Sequence, residues 1–170
     1  MSPTTKPIKN ARSQADMTQL FARLEQILTS HGARQIATEF DDQGLRRAVT
    51  FGIDYRGRRL FVRLPARIEQ AQTVLQRQYD ANLGSLRKMG RAATSYEHAY
   101  RVAWRNIVDW VDAQMALVEL ELVRLEEVFL PYITDATGTT LFEAMEQRQF
   151  HLGGGDGGTP DESIDGEIRA

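Results

Sequence analysis

Cysteine is absent from the chain, which excludes disulfides and thiolate metal sites and favours a reducing compartment. Histidine is scarce, and His31, His98 and His151 are too scattered to stand at metal-ligand spacing. No run approaches the roughly 20 apolar residues that cross a bilayer. Residues 1–14 are polar and lack the apolar segment of a secretory signal. The glycines of 153–158 are followed by no Lys-Ser/Thr pair and preceded by no strand, so they make no phosphate-binding loop. Neither G-x-S-x-G nor H-E-x-x-H occurs. A helix followed by three strands can open a restriction-nuclease core, but Arg59-Leu60-Phe61-Val62-Arg63 on the third strand offers no acid-x-Lys pattern to hold a metal. These absences predict a cytoplasmic protein that is not an enzyme, with no membrane span, metal or cofactor.

Glycine and proline are also missing from residues 91–130, forty positions set between Gly90 and Pro131. This stretch predicts one long amphipathic helix over 95–130, opened by a capping box of Thr94 and Glu97. At about 1.5 Å per residue it would span roughly 50 Å, against roughly 40 Å for a domain of this size. Such an overhang predicts cover by a second copy of the chain, a homodimer. Beyond Met115 the helix turns apolar on most faces while its charge is acidic. Leu120, Val123 and Leu130, with Glu119, Glu126 and Glu127, are therefore candidates for an oligomer or partner interface.

Ahead of it, Met17, Leu20, Phe21, Leu24, Ile27 and Leu28 repeat at helical spacing. Ser13 and Asp16 are candidates for the cap of that helix, and Gly32 for its left-handed stop. Period-two alternation over 34–40, 46–55 and 58–64, separated by Asp41-Asp42-Gln43-Gly44 and Arg56-Gly57, predicts an antiparallel meander with one buried face. A second helix runs from near Ala66 toward Gly90 and forms an antiparallel hairpin with the long one. Thr140 and Glu143 open a short last helix. The fold class is thus α+β: an N-terminal helix, a three-stranded antiparallel meander, a long helical hairpin and a short C-terminal helix. Residues 1–12 are expected to be disordered, 13–150 to form a single domain, and 151–170 to be a disordered Gly-rich acidic tail.

The net charge of −2 hides segregation. Residues 44–67 carry seven arginines against Asp54, a balance of +6, whereas 109–146 carry nine acids against Arg124, a balance of −8. Arg59, Phe61 and Arg63 alternate on one sheet face, and with Arg46 they offer guanidinium groups for phosphate and an aromatic ring for a base. Arg87, Lys88 and Arg91 would extend that DNA- or RNA-binding surface. The plainer alternative has the acidic helix neutralising the basic strands, Arg87 and Lys88 offsetting a helix dipole, and Glu97–Arg101 and Arg105–Asp109 forming ion pairs along one helix. Tyr96, Tyr100, Trp104 and Trp110 have the spacing of core or interface residues. Asp109 and Asp112 have the spacing to share a divalent ion, but they fit a solvated face better.

The order helix–three strands–helix resembles the double-stranded-RNA-binding domain, whose last helix opens on a lysine cluster that meets phosphate. Here Pro65-Ala66-Arg67-Ile68-Glu69-Gln70 puts Arg67 alone in that role. Tyr100-Arg101-Val102-Ala103-Trp104-Arg105, together with Val128-Phe129-Leu130-Pro131-Tyr132, is similar to small uncharacterised proteins of bacteriophages and mobile elements. That resemblance implies a phage or prophage setting and assigns no activity. The leading expectation is a phage or mobile-element accessory protein that binds nucleic acid. The alternative is a protein-binding module or inhibitor of a host protein that uses the acidic end of the long helix.

Overall fold

Leu20, Phe21, Leu24, Ile27 and Leu28 are all buried along α1 (Met17–Ser30), the face that their spacing defines. Asp16 caps this helix, its carboxylate accepting from the backbone N–H groups of Thr18 and Gln19. Ser13 takes no part in that cap and accepts from Ala15 N–H instead. Gly32, at φ 91°, supplies the left-handed stop. The computed structural model describes residues 6–149, so the expected acidic tail at 151–170 lies outside the described residues.

Three strands follow as an antiparallel meander: β1 (Gln35–Phe40), β2 (Arg46–Tyr55) and β3 (Arg58–Pro65). Arg56 and Gly57 both have positive φ, 48° and 77°, the two-residue turn whose twist matches a hairpin. Val49, Phe51 and Ile53 of β2 and Val62 and Leu64 of β3 are buried under α1, α2 (Ile68–Asp80) and α3 (Tyr96–Glu119). The meander gains a strand that the sequence pattern does not announce. β4 (Ile133–Thr134) pairs with β3 through Ile133–Val62 and Thr134–Phe61, giving the order β1-β2-β3-β4. Two residues are too few to show period-two alternation.

The long helix does not run through to Leu130. α3 ends at Glu119, Glu121 adopts a left-handed φ of 56°, and α4 (Leu125–Phe129) starts in a new direction. Glu127 fixes that start by accepting from the backbone and guanidinium N–H groups of Arg124. The reason for the break is Phe129, which is 0% exposed and meets Phe51 at 5.4 Å and Trp110 at 5.5 Å, both edge-on. A straight helix would carry this ring about 15 Å past Glu119, away from the sheet. At 24 residues α3 is about 36 Å long, so it fits the domain and the overhang that predicted a homodimer is gone.

The second helix is also shorter than expected. α2 stops at Asp80, and residues 81–95 join it to α3 through a 3-10 segment (Leu86–Thr94) bent at Gly90. The Gln72 side chain donates to the Thr94 carbonyl, so α3 begins beside the first half of α2, and the two long helices pack together across this longer connection. Ser95, not Thr94, caps α3 by accepting from His98 N–H. Glu97 turns to Arg101 instead. Thr140 and Glu143 do form the expected capping box, at the start of α5 (Leu141–Gln147).

The expectation of disorder over 1–12 is corrected from Ile8 onward. Ile8 N–H donates to Gln78 Oε1, Asn106 donates to the Lys9 carbonyl, and Ala11 is buried. His98 is buried and its Nε2 lies 2.8 Å from the Ala11 carbonyl, which places the proton on Nε2. Buried Gln78 and His98 need polar partners, and the N-terminal strap provides them across the helix layer. The fold-back at α4 predicts that Phe129→Ala costs about 3–5 kcal/mol in denaturant unfolding. Leu122→Ala, at an exposed position, should change stability by no more than about 0.5 kcal/mol.

Candidate functional site

The sheet face turned away from the helices carries Glu39 of β1, Thr50, Gly52 and Asp54 of β2, and Arg59, Phe61 and Arg63 of β3. Gly52 stands opposite Phe61, and a Cβ there would come within 3.3 Å of that ring and 3.2 Å of the Arg59 side chain. Both side chains therefore lie down over the glycine. Arg59 Nε donates to Asp54 Oδ1 at 3.0 Å, its cross-strand partner. Arg63 holds Glu39 with two bonds of 2.7 Å each, through Nε and a terminal nitrogen. The Arg63 hydrogen bond is the largest influence holding the Glu39 carboxyl below its ordinary range, and the same bond raises the guanidinium. The arginines expected to meet phosphate are thus already engaged by carboxylates on their own face. The acidic helix, expected to do this, does not.

The other cations proposed for that surface are elsewhere. Arg46 stacks on the Phe21 ring of α1 at 3.9 Å. Arg87 donates to the Tyr79 and Asp80 carbonyls, closing the C-terminus of α2 from the segment that follows it. It belongs with Lys88 and Arg91 to the 3-10 segment, which packs on α2 and α3 in the helix layer. Lys88 and Arg91 are exposed. The structure therefore does not bring Arg87, Lys88 and Arg91 together with Arg59 and Arg63.

The interface candidates of the long helix fall around the α3–α4 corner. Leu120 and Leu122 are 67% and 68% exposed, Leu130 is 50% exposed, and Val123 is half-buried. Glu119 lies 2.9 Å from His31 Nε2 at the end of α1, and Glu126 and Glu127 both face Arg124. The result is a protruding pair of leucines in an acidic surround that includes Glu121. Of the aromatic set, Trp104 is buried and donates Nε1–H to the Arg46 carbonyl. Tyr100 packs near Phe21, and Trp110 lies between Phe129 and Tyr132.

Asp109, at a position whose spacing suggests a solvated face, is instead a hub whose side chain is only 13% exposed. It accepts from Asn10 Nδ2 at 3.1 Å and faces Lys9 at 3.1 Å, Arg105 at 3.1 Å and Arg23 at 3.9 Å. Burial pushes this carboxyl up, but hydrogen bonds from Asn10 and Lys9 and the charges of Arg105 and Lys9 outweigh it and hold it below the ordinary range. Cations, not another acid, occupy its oxygens, while Asp112 pairs with Arg23. Among the described residues no group of three or more His, Asp or Glu is placed to hold a metal ion. Lys9 and Asn10 are separated from Asp109 by about a hundred positions, and no sequence spacing signals that contact.

The structure defines an α+β protein with one sheet face covered by α1, α2 and α3, an opposite face flanked by residues 134–143, and a projecting acidic corner. No helix of the described residues is long and apolar enough to cross a membrane. No family model, curated protein or solved structure matches the chain.

A depressed carboxyl stabilises the fold above its unfolded pKa of about 4 and loses that contribution as pH falls through the lower folded value. Asp109→Asn should therefore lower stability at pH 7 by about 1–3 kcal/mol and flatten the loss of stability below about pH 4. Denaturant unfolding across that pH range checks both.

Proposed function

We propose that this chain is a non-enzymatic binding protein whose partner is another protein, engaged through the α3–α4 corner. The observation that carries this reading is the exposure of Leu120 and Leu122, 67% and 68%, at the tip of a turn surrounded by carboxylates. Large apolar side chains grouped on a surface mark interaction sites. Their acidic surround, Glu119, Glu121, Glu126 and Glu127, selects a partner with a basic rim around an apolar pocket. In the phage or mobile-element setting implied by the sequence resemblance, that partner is a host protein. The lack of cysteine suits a cytoplasmic location. Nucleic acid is the weaker reading, because Arg59 and Arg63 already hold Asp54 and Glu39. A phosphate would have to displace both carboxylates before it could bind.

The test compares the full chain with Leu120→Ser/Leu122→Ser and Glu119→Lys/Glu126→Lys as baits for affinity capture and crosslinking from host cells. A protein retained by the parent and lost with both variants, each shown to keep its unfolding temperature, is the expected result. In parallel, fluorescence anisotropy with single-stranded RNA and duplex DNA at low salt should give the same weak signal for the parent and for Arg59→Ala/Arg63→Ala. Tight binding that falls steeply with salt and is lost in that double variant would overturn the proposal.

A further inference from the structure

β1 is the longer open edge of the sheet. Among the described residues it pairs only with β2, and the opposite edge is the two-residue β4. Open edges are usually blunted by lysine, proline or a bulge. β1 reads Gln35-Ile36-Ala37-Thr38-Glu39-Phe40, with no lysine and no proline, and its one charge is engaged by Arg63. The register does shift near its end, but consecutive Glu39 and Phe40 face Ala48 and Arg46. The extra residue is thus Arg47 of β2, and the outer edge of β1 stays regular. At its end Phe40 is 58% exposed, on the helix side beside Met17 and Phe21.

We propose that β1 pairs antiparallel with β1 of a second copy of this chain, across a two-fold axis at Thr38, joining two sheets into one of eight strands. The axis follows from ladder geometry. Hydrogen-bonded and non-hydrogen-bonded pairs alternate along an antiparallel ladder, so a two-fold axis must pass where a residue faces its own copy. An axis at Glu39 sets two carboxylates opposite each other, and one at Ala37 sets Phe40 against Arg34. The axis at Thr38 sets Ile36 against Phe40, burying the exposed ring twice, and Glu39 against Ala37. Just beyond the two strand ends, the same axis also brings Arg34 toward Asp42, in the β1–β2 turn of the other copy. Both are exposed, and among the described residues neither makes an ion pair within its own chain. The two-fold axis makes that contact twice. This charge complementarity favours a second copy over an unrelated extended peptide, and the contact differs from the α3–α4 corner.

Sedimentation equilibrium of the full chain across about 1–200 μM tests the pairing. A monomer–dimer equilibrium is expected, reaching twice the chain mass of 19.3 kDa. Phe40→Lys should weaken it about tenfold or more. Arg34→Glu and Asp42→Arg should each weaken it, and the double variant Arg34→Glu/Asp42→Arg should restore it, since the swap recreates the pair. Because the chain has no cysteine, Thr38→Cys places one thiol per copy on the axis. A short bis-maleimide should then trap the dimer, whereas Ser85→Cys on the helix layer should not be trapped. A parent that stays monomeric throughout, or a dimer indifferent to Phe40→Lys and to both charge reversals, overturns the proposal.

Discussion

The burial of Phe129 between Phe51 and Trp110 is the contact on which the carboxyl-terminal third of the domain depends. It links the central strand to the far half of α3, and it can form only if the chain leaves the helix axis soon after Glu119. The left-handed Glu121 and the Arg124–Glu127 cap follow as the local means of that turn. Once Phe129 is seated, Ile133 and Thr134 arrive beside β3 and complete the sheet. The same turn leaves Leu120 and Leu122 exposed at its apex, uncovered by the described residues. One aromatic contact therefore creates both the last strand and the exposed corner.

The helix layer is tied together differently, by polar groups that burial obliges to find partners. Gln78, His98, Asn106 and Asp109 lie on α2 and α3, and each is met by the strap at residues 8–11. Ile8 and Ala11 anchor the strap against the core, and hydrogen bonds and charge fix the course of Lys9 and Asn10 between them. Gly84 is part of the same fit: a Cβ there would lie 2.5 Å from Pro7 Cβ. A segment held in this way is sensitive to protonation of Asp109, whereas the aromatic cluster under the sheet is not.

How much of this the residues reveal on their own depends on the range of the interaction. α1, the β1–β2–β3 meander and the capped α5 are set by neighbours within a few positions, and their patterns read correctly. The Arg56-Gly57 turn even fixes Asp54 opposite Arg59, so half of the neutralised sheet face was within reach of register counting. The Glu39–Arg63 pair was not, because it joins the two strands that flank β2. The break at Leu120 was hidden for a related reason. Residues 91–130 have helical propensity throughout, and a tertiary contact of one phenylalanine overrides it. Likewise the strap at 8–12 is polar and reads as unstructured, since its partners lie some seventy to a hundred positions away.

Charge segregation along the chain is therefore a poor guide to charge on the surface. The basic stretch 44–67 and the acidic stretch 109–146 suggest two opposed patches that attract each other. In three dimensions Arg59 and Arg63 of β3 are met by Asp54 of β2 and Glu39 of β1, and Arg46 spends its charge on an aromatic ring. Asp109 and Asp112 are likewise met by cations, but at the α3–α4 corner compensation is thinner: Glu126 and Glu127 share Arg124, and Glu121 makes no ion pair among the described residues. Neutralisation is thus nearly complete on the sheet face and incomplete at the corner. Long-range attraction of a partner follows uncompensated charge, and the uncompensated charge surrounds the exposed leucines. Apolar exposure and residual field coincide at one place, and that coincidence, more than the sign of any linear segment, is what supports the proposal of the α3–α4 corner as a docking surface.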